Sequence, residues 1–325
     1  MHTHPTYPPR SDYVHKSWKH DDDTYDPVYH IDPSVLANTP PKGRGWADQR
    51  DAFRNPRFIE RVTWHCGAEG PLLNFYDFDN DRRPLNPMGR TGIADRGLLG
   101  LYGPNYCADP IVRRPHPSWW HPYYLFKSQV ACCLRLDNGK WALPGGVCEK
   151  DKNGTYQPAS ITCAREFKEE VMGVNHEMEK QVDEMFSVIN GKPVYGEFVF
   201  KGYVDDERAT DHAWMVTQAY LFEKDNVTTK LKLRTGDPSE VAGARWLTYP
   251  CGLTHANHVE LVKLAYKHYP FRVRTVRLVK FMLLWTGLAY LTRPLWPLSS
   301  PVEHAKIDAP DNLQCRYLNE TEVHL

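Results

Sequence analysis

Residues 144–174 read PGGVCEKDKNGTYQPASITCAREFKEEVMGV. Pro144 interrupts an apolar run, and Gly145 and Gly146 give a backbone free to bend and to approach another group closely. A polar loop follows. From Ala159 to Met172 the apolar positions fall at helical spacing, with Ile161, Ala164, Phe167 and Val171 on one stripe. Glu166, Glu169 and Glu170 stand at i, i+3 and i+4, which places three carboxylates on one face opposite that stripe. Each like-charged pair so placed destabilises a bare helix by about 0.2–0.5 kcal/mol. Arg165 reaches Glu169 at i+4, but one guanidinium does not balance three carboxylates. A divalent cation does, and magnesium prefers a few carboxylates, waters and substrate phosphate oxygens. For the glutamate spacing alone, a solvated charged face is the plain alternative. The glycine pair, the loop and the closing Gly173 around it favour a metal site.

The flanking sequence has the grammar of a layered α/β fold. YYLFKSQVACCLRL (123–136) reads as a strand, Asp137-Asn138-Gly139 as a hairpin turn and KWAL (140–143) as the returning strand. Further strands fit 193–204, 212–222 and 243–249, and a last helix fits 257–269. Strands interleaved with two helices predict an α/β sandwich with a mixed sheet. Before it, residues 1–60 are rich in Pro, His, Asp and Tyr, and 61–124 alternate Gly, Pro, Asn and aromatic residues. The expected division is a loop- and strand-rich N-terminal cap domain at 1–122, the α/β domain at 123–269 and a basic then apolar tail at 270–325.

Composition excludes some classes. Apolar residues make up 41% and charged residues 25%, enough to bury a core. Lys+Arg and Asp+Glu are both 40, which argues against a general nucleic-acid binder. The eight cysteines include no CxxC pair, so a zinc site is not expected, and they read as mostly reduced. Adjacent Cys132 and Cys133 in a strand point to opposite faces. The opening residues MHTHPTYPPRSDY carry neither an apolar run nor an Arg/Ser-rich amphipathic pattern. The expectation is a cytoplasmic chain, with a mitochondrial location open to another isoform. The longest apolar run, Phe281 to Leu291, falls short of the roughly 20 residues that span a bilayer. Arg272, Arg274, Arg277 and Lys280 precede it and Arg293 follows. Two readings of 270–297 stay open: contact with a membrane surface, or, preferred, a hydrophobic helix packed on the domain or a variant terminus.

The segment from Gly146 to Val174 resembles the Nudix box, in which a glycine is followed, after an acidic position, by Arg-Glu-apolar-x-Glu-Glu-x-Gly-apolar. Arg165 to Val174 match the second half throughout. The first half departs: 19 positions separate Gly146 from Arg165 where the pattern has 14, and Gln157 stands where it has Glu. Glu149 is the nearby acid that an altered loop path could substitute. Outside the box, 86–114, 8–13, 45–51, 201–215, 236–246 and 254–264 resemble, in the same order, segments of the ADP-ribose pyrophosphatase branch and of the Nudix-homology domain of ADP-ribose-gated melastatin-type channels. The resemblance covers roughly residues 5–268 and has no counterpart for the tail.

That resemblance implies a Nudix α/β/α sandwich that hydrolyses ADP-ribose to AMP and ribose 5-phosphate with Mg²⁺, or with Mn²⁺ in its place. Glu166 and Glu170 would ligate the metal, Glu169 would complete the site or orient the attacking water, and Arg165 would hold a glutamate in place. Asp206, Arg208, Asp211, Asn257 and Arg96 would bind substrate, with a structural role as the alternative for each. His212 stands where relatives have Asn, and His255 where they often have Tyr. Two rival functions are carried: a sensor that binds ADP-ribose without catalysis, and a Nudix hydrolase of another nucleoside diphosphate derivative. Retention of Arg165, Glu166, Glu169 and Glu170 favours the enzyme.

Overall fold

The computed structural model describes residues 6–11, 16–39, 45–55, 58, 77–149, 156–173, 178–189, 192–250, 253, 255–271 and 275–292. Cys66, Cys251, Cys315, Thr254, Arg272, Arg274, Arg293 and the loop at 150–155 lie outside them. Two compact units are present, Met1–Arg274 and Thr275–Leu325.

In the first unit, β1 (Val28–Ile31) leads into the short α1 (Pro33–Ala37), capped where Asp32 accepts from the Ser34 N–H. β2 (Ile93–Gly97) pairs parallel with β1. β3 (Gly103–Pro115) is thirteen residues long and is followed by β4 (Ser128–Arg135), β5 (Trp141–Ala142) and β6 (Gly146–Val147). α2 (Ala159–Val171) and α3 (Glu179–Met185) come next, then β7 (Val188–Ile189), β8 (Lys192–Pro193), β9 (Gly196–Val204) and β10 (Ala213–Phe222). The unit closes with α4 (Asp225–Thr228), β11 (Val241–Thr248) and α5 (His258–His268). The second unit contributes α6 (Thr275–Thr292).

One mixed seven-stranded sheet organises the first unit in the order β11-β4-β3-β10-β9, with β5 on β4 and β6 on β3. β3 and β10 run parallel, and the other pairs are antiparallel. One face packs Ala108, Val112 and Cys133 against Phe167 and Val171 of α2. The opposite face packs Ile111, Val130 and Cys132 against Leu261, Val262 and Ala265 of α5. This is the α/β/α sandwich with a mixed sheet, and the adjacent cysteines face opposite layers as strand alternation requires.

β3 departs from the sequence reading, which placed residues 103–115 in the loop- and strand-rich cap domain, apart from the α/β sheet. It is the middle strand of the sheet, although the boundary drawn at 122/123 assigns it to the N-terminal part. Pro104 and Pro110 disguise it. Both share the parity of Tyr106, whose carbonyl accepts the Cys148 N–H on the side away from β10. There β6 pairs only Cys107 and Ala108, and β4 only Arg113 to Pro115. The missing proline donors therefore cost no ladder bond.

The apolar stripe of α2 also needs correction. Ile161 is exposed, and Cys163, Phe167 and Val171 form the buried stripe. Glu166 and Glu170 flank it on the inward side instead of lying opposite.

Candidate active site

The site is built where the β5–β6 turn crosses α2. The Gly145 N–H donates to Glu170 Oε2 at 2.9 Å. A Cβ on Gly146 would stand 2.3 Å from Glu166 Oε1, and one on Gly145 would stand 2.0 Å from Asp109 Oδ1. No side chain fits at either position, so the turn lies directly on three carboxylates. Glu166 and Glu170 are only 6% and 5% exposed, while the Glu169 side chain is 53% exposed. Arg165 spans the cluster, 2.7 Å from Glu166 Oε1 and 3.0 Å from Glu169 Oε2, and donates to the Val147 carbonyl at 2.9 Å. Its Nε lies 3.8 Å from Glu149. Glu149 thus approaches the box arginine despite the longer loop.

Electrostatics separate the three glutamates. Burial pushes Glu166 up to about 7, against the pull of Arg165 and with added repulsion from Glu169. Burial likewise pushes Glu170 up to about 8; the Gly145 amide opposes the rise and Glu166 adds to it. The Cys133 thiol, 3.6 Å from Glu170 Oε2, is a weak donor.

A chain of contacts extends from this turn to the substrate-side candidates. Asp109 on β3 is buried, its carboxyl raised by burial, and it accepts a hydrogen bond from Thr217. His258 Nε2 lies 4.0 Å from Asp109 Oδ1, and its Nδ1 accepts the Leu143 N–H at 2.8 Å. The His255 ring meets that of His258 edge-on at 5.1 Å, and its Nε2 lies 3.7 Å from Asp206 Oδ2. Burial, then His258, pushes His255 down to about 3, so it is neutral at physiological pH. Asp206 takes two bonds from the Arg208 guanidinium and one from its N–H, all at 2.8 Å. Burial alone would raise Asp206, but Arg208 overrides it and holds the carboxyl well below the usual range. Asn257 precedes α5, its Nδ2 3.5 Å from the Tyr203 carbonyl and its Oδ1 buried with no partner among the described residues. Asp109 and His258 escaped the sequence reading because no local spacing marks them.

Arg96 and Asp211 stand in internal joints. Arg96 is fully buried, donating to the Asp48 and Gly100 carbonyls beneath the Tyr102 ring. Asp211 accepts from the Thr91 N–H at 2.7 Å, from its hydroxyl at 2.8 Å and from Tyr25 OH. His212 Nδ1 takes the Asp95 N–H at 2.9 Å, and burial, aided by Arg83, pushes the imidazole down to about 3.

A cavity of about 130 Å³ opens beside the box, lined by Tyr106, Cys107, Cys148, Tyr156, Gln157 and Thr217 among others. Ligand pockets commonly run to about 300–1,000 Å³, so it takes only part of a nucleoside diphosphate. Among the described residues no three His, Cys, Asp or Glu side chains converge as a ready ligand set. Two buried carboxylates held above their ordinary range nonetheless suit a hard dication that draws its other ligands from water and phosphate.

Comparison with known proteins gives the family. Residues 13–103 match the family described as NUDT9-like, N-terminal domain. The chain is 34% identical over 265 residues to the Caenorhabditis elegans protein called "Putative nudix hydrolase 6", covering 77% of this chain and 88% of that one. It belongs to the Nudix hydrolase family. It is also 33% identical over 258 residues to the mitochondrial ADP-ribose pyrophosphatase of Rattus norvegicus, covering 74% of this chain and 68% of that one. A further match, 32% identical over 257 residues, is to the transient receptor potential cation channel subfamily M member-like 2 of Nematostella vectensis. It covers 74% of this chain and 15% of the channel.

Proposed function

We propose that this Nudix hydrolase cleaves the pyrophosphate of ADP-ribose to AMP and ribose 5-phosphate with Mg²⁺, Mn²⁺ serving in its place. The observation that carries this reading is the buried pair Glu166 and Glu170 beneath the Gly145-Gly146 turn, pushed up by burial to about 7 and about 8. The rat pyrophosphatase supports the choice of substrate. Glu166 and Glu170 hold the metal, which when bound neutralises the pyrophosphate and acidifies a water. Glu169, exposed and tied to Arg165, orients the attacking water and accepts its proton. Arg165 holds Glu166 and Glu169 in register through charge-assisted bonds. The glycine turn lets the backbone lie directly on the Glu166 and Glu170 carboxylates.

On the substrate side, the Asn257 carbonyl oxygen takes a sugar hydroxyl, and the Asp206–Arg208 pair presents a fixed charged edge to the ribose phosphate. Arg96 and Asp211 serve indirectly, by holding the segments that carry this edge.

The test is incubation of the full chain with ADP-ribose, with and without magnesium, followed by separation of products. Magnesium-dependent AMP and ribose 5-phosphate are expected. Saturable binding without turnover would make the chain a sensor, its box disabled by Gln157 and the longer loop. Neither binding nor turnover would redirect the search to other nucleoside diphosphate derivatives.

A further inference from the structure

α6 carries TVRLVKFMLLWTGLAYLT, and its surface is unlike that of the other described helices. Residues 282–288 are exposed without exception, so for about two turns the helix shows apolar groups in every direction. Met282, Leu283, Leu284, Trp285 and Leu288 are all exposed large apolar side chains, Leu283 at 66%. A helix that is apolar all round belongs in a core or in lipid. A second protein helix would cover one stripe and leave the other sides in water, whereas a bilayer covers all of them.

The one threonine of the apolar part is satisfied within the helix: the Thr286 hydroxyl donates back to the Met282 carbonyl at 2.8 Å. Charge gives the lipid class. From residue 261 to 302 the sequence has no Asp or Glu, while Arg272, Arg274, Arg277 and Lys280 precede the apolar run and Arg293 follows it. Length then decides between lying in and passing through. None of the described helices is long and apolar enough to cross a membrane. Eleven residues from Phe281 to Leu291 rise about 16 Å, close to one leaflet of a hydrocarbon core about 30 Å thick.

We propose that α6 is a one-leaflet anchor for anionic membranes: its apolar residues from Phe281 to Leu288 enter the acyl region, and Arg277 and Lys280 sit among negatively charged headgroups. A single apolar insertion with a basic flank gives reversible, composition-dependent attachment.

The experiment is sedimentation of the full chain with vesicles of phosphatidylcholine alone or mixed with phosphatidylserine, at about 0.1 M and about 1 M salt. Binding to the anionic vesicles is expected to be about tenfold or more stronger than to neutral ones, with high salt narrowing the difference. Leu283→Glu combined with Leu284→Glu should return the chain to the supernatant with its thermal midpoint unchanged. Arg277→Glu combined with Lys280→Glu should keep weak binding and lose the anionic preference. Two outcomes overturn the proposal. One is recovery of the unaltered chain in the supernatant with both vesicle types. The other is a stable dimer in solution that the leucine variant dissolves and vesicles do not bind.

Discussion

Glu166 and Glu170 are acids whose charge the fold opposes. A carboxyl raised by burial binds its proton more tightly folded than unfolded. Stability of the metal-free chain therefore falls as pH rises from the ordinary carboxylate range, and levels off above about pH 8. A dication needs both groups deprotonated, so magnesium binding releases protons and tightens through the same window. The thermal midpoint of the metal-free protein should fall from about pH 5 to about pH 8, and magnesium should recover most of the loss at the upper end. A midpoint indifferent to magnesium at every pH would remove the pair as a metal site. The exposed Glu169 behaves differently, because its proposed role is in the reaction. Glu169→Gln should cut turnover by about 10²–10⁴-fold while magnesium still shifts the midpoint. Glu170→Gln should lose both turnover and the magnesium response. Near-normal kcat in both variants would sink the carboxylate assignment.

The site exists because a strand end is pressed on a helix, and glycine alone permits that approach. A methyl group on Gly146 would enter the space of the Glu166 carboxylate, whose Oε1 would be 2.3 Å away and Oε2 2.8 Å. Gly146→Ala should therefore weaken magnesium binding by about tenfold or more, since moving a ligand or its support typically costs that much. Calorimetric titration with magnesium checks it, and unchanged affinity would mean that the turn does not set the position of Glu166. This pairing was half legible in the sequence. The glycines, Arg165 and the glutamates of α2 announce themselves because helical spacing and a strand-breaking turn are local signals. The burial of Glu166 and Glu170 was not legible, because it follows from Cys163, Phe167 and Val171 turning the helix inward, with Ile161 left outside. Asp109 and His258 were hidden for a related reason. They meet near Gly145 only because β3 and α5, 149 positions apart at those residues, pack on the same part of the sheet.

β3 decides what can fold alone. The strand pairs with β10 along ten residues, from Gly103↔Ala213 to Val112↔Phe222, and with β4 at Arg113 to Pro115. Without it, β11 and β4 lose their connection to β10 and β9. Its side chains also serve both layers, Ala108 and Val112 toward α2 and Ile111 toward α5. The N-terminal segment is bound in as closely: Tyr7 OH donates to the Arg208 carbonyl at 2.6 Å, and the Gly92 N–H donates to Tyr25 OH at 3.1 Å. A fragment of residues 123–269 contains the Nudix box and reads as a domain in the sequence, yet it lacks the strand on which its two halves are joined. It should be aggregated or unfolded, with neither a cooperative thermal transition nor a magnesium response. A fragment of residues 1–274, which keeps β3, should melt in one transition near that of the full chain. Circular dichroism melts of the two fragments make the comparison. A folded, magnesium-binding 123–269 fragment would show that β4, β10 and their helices form a core without the central strand.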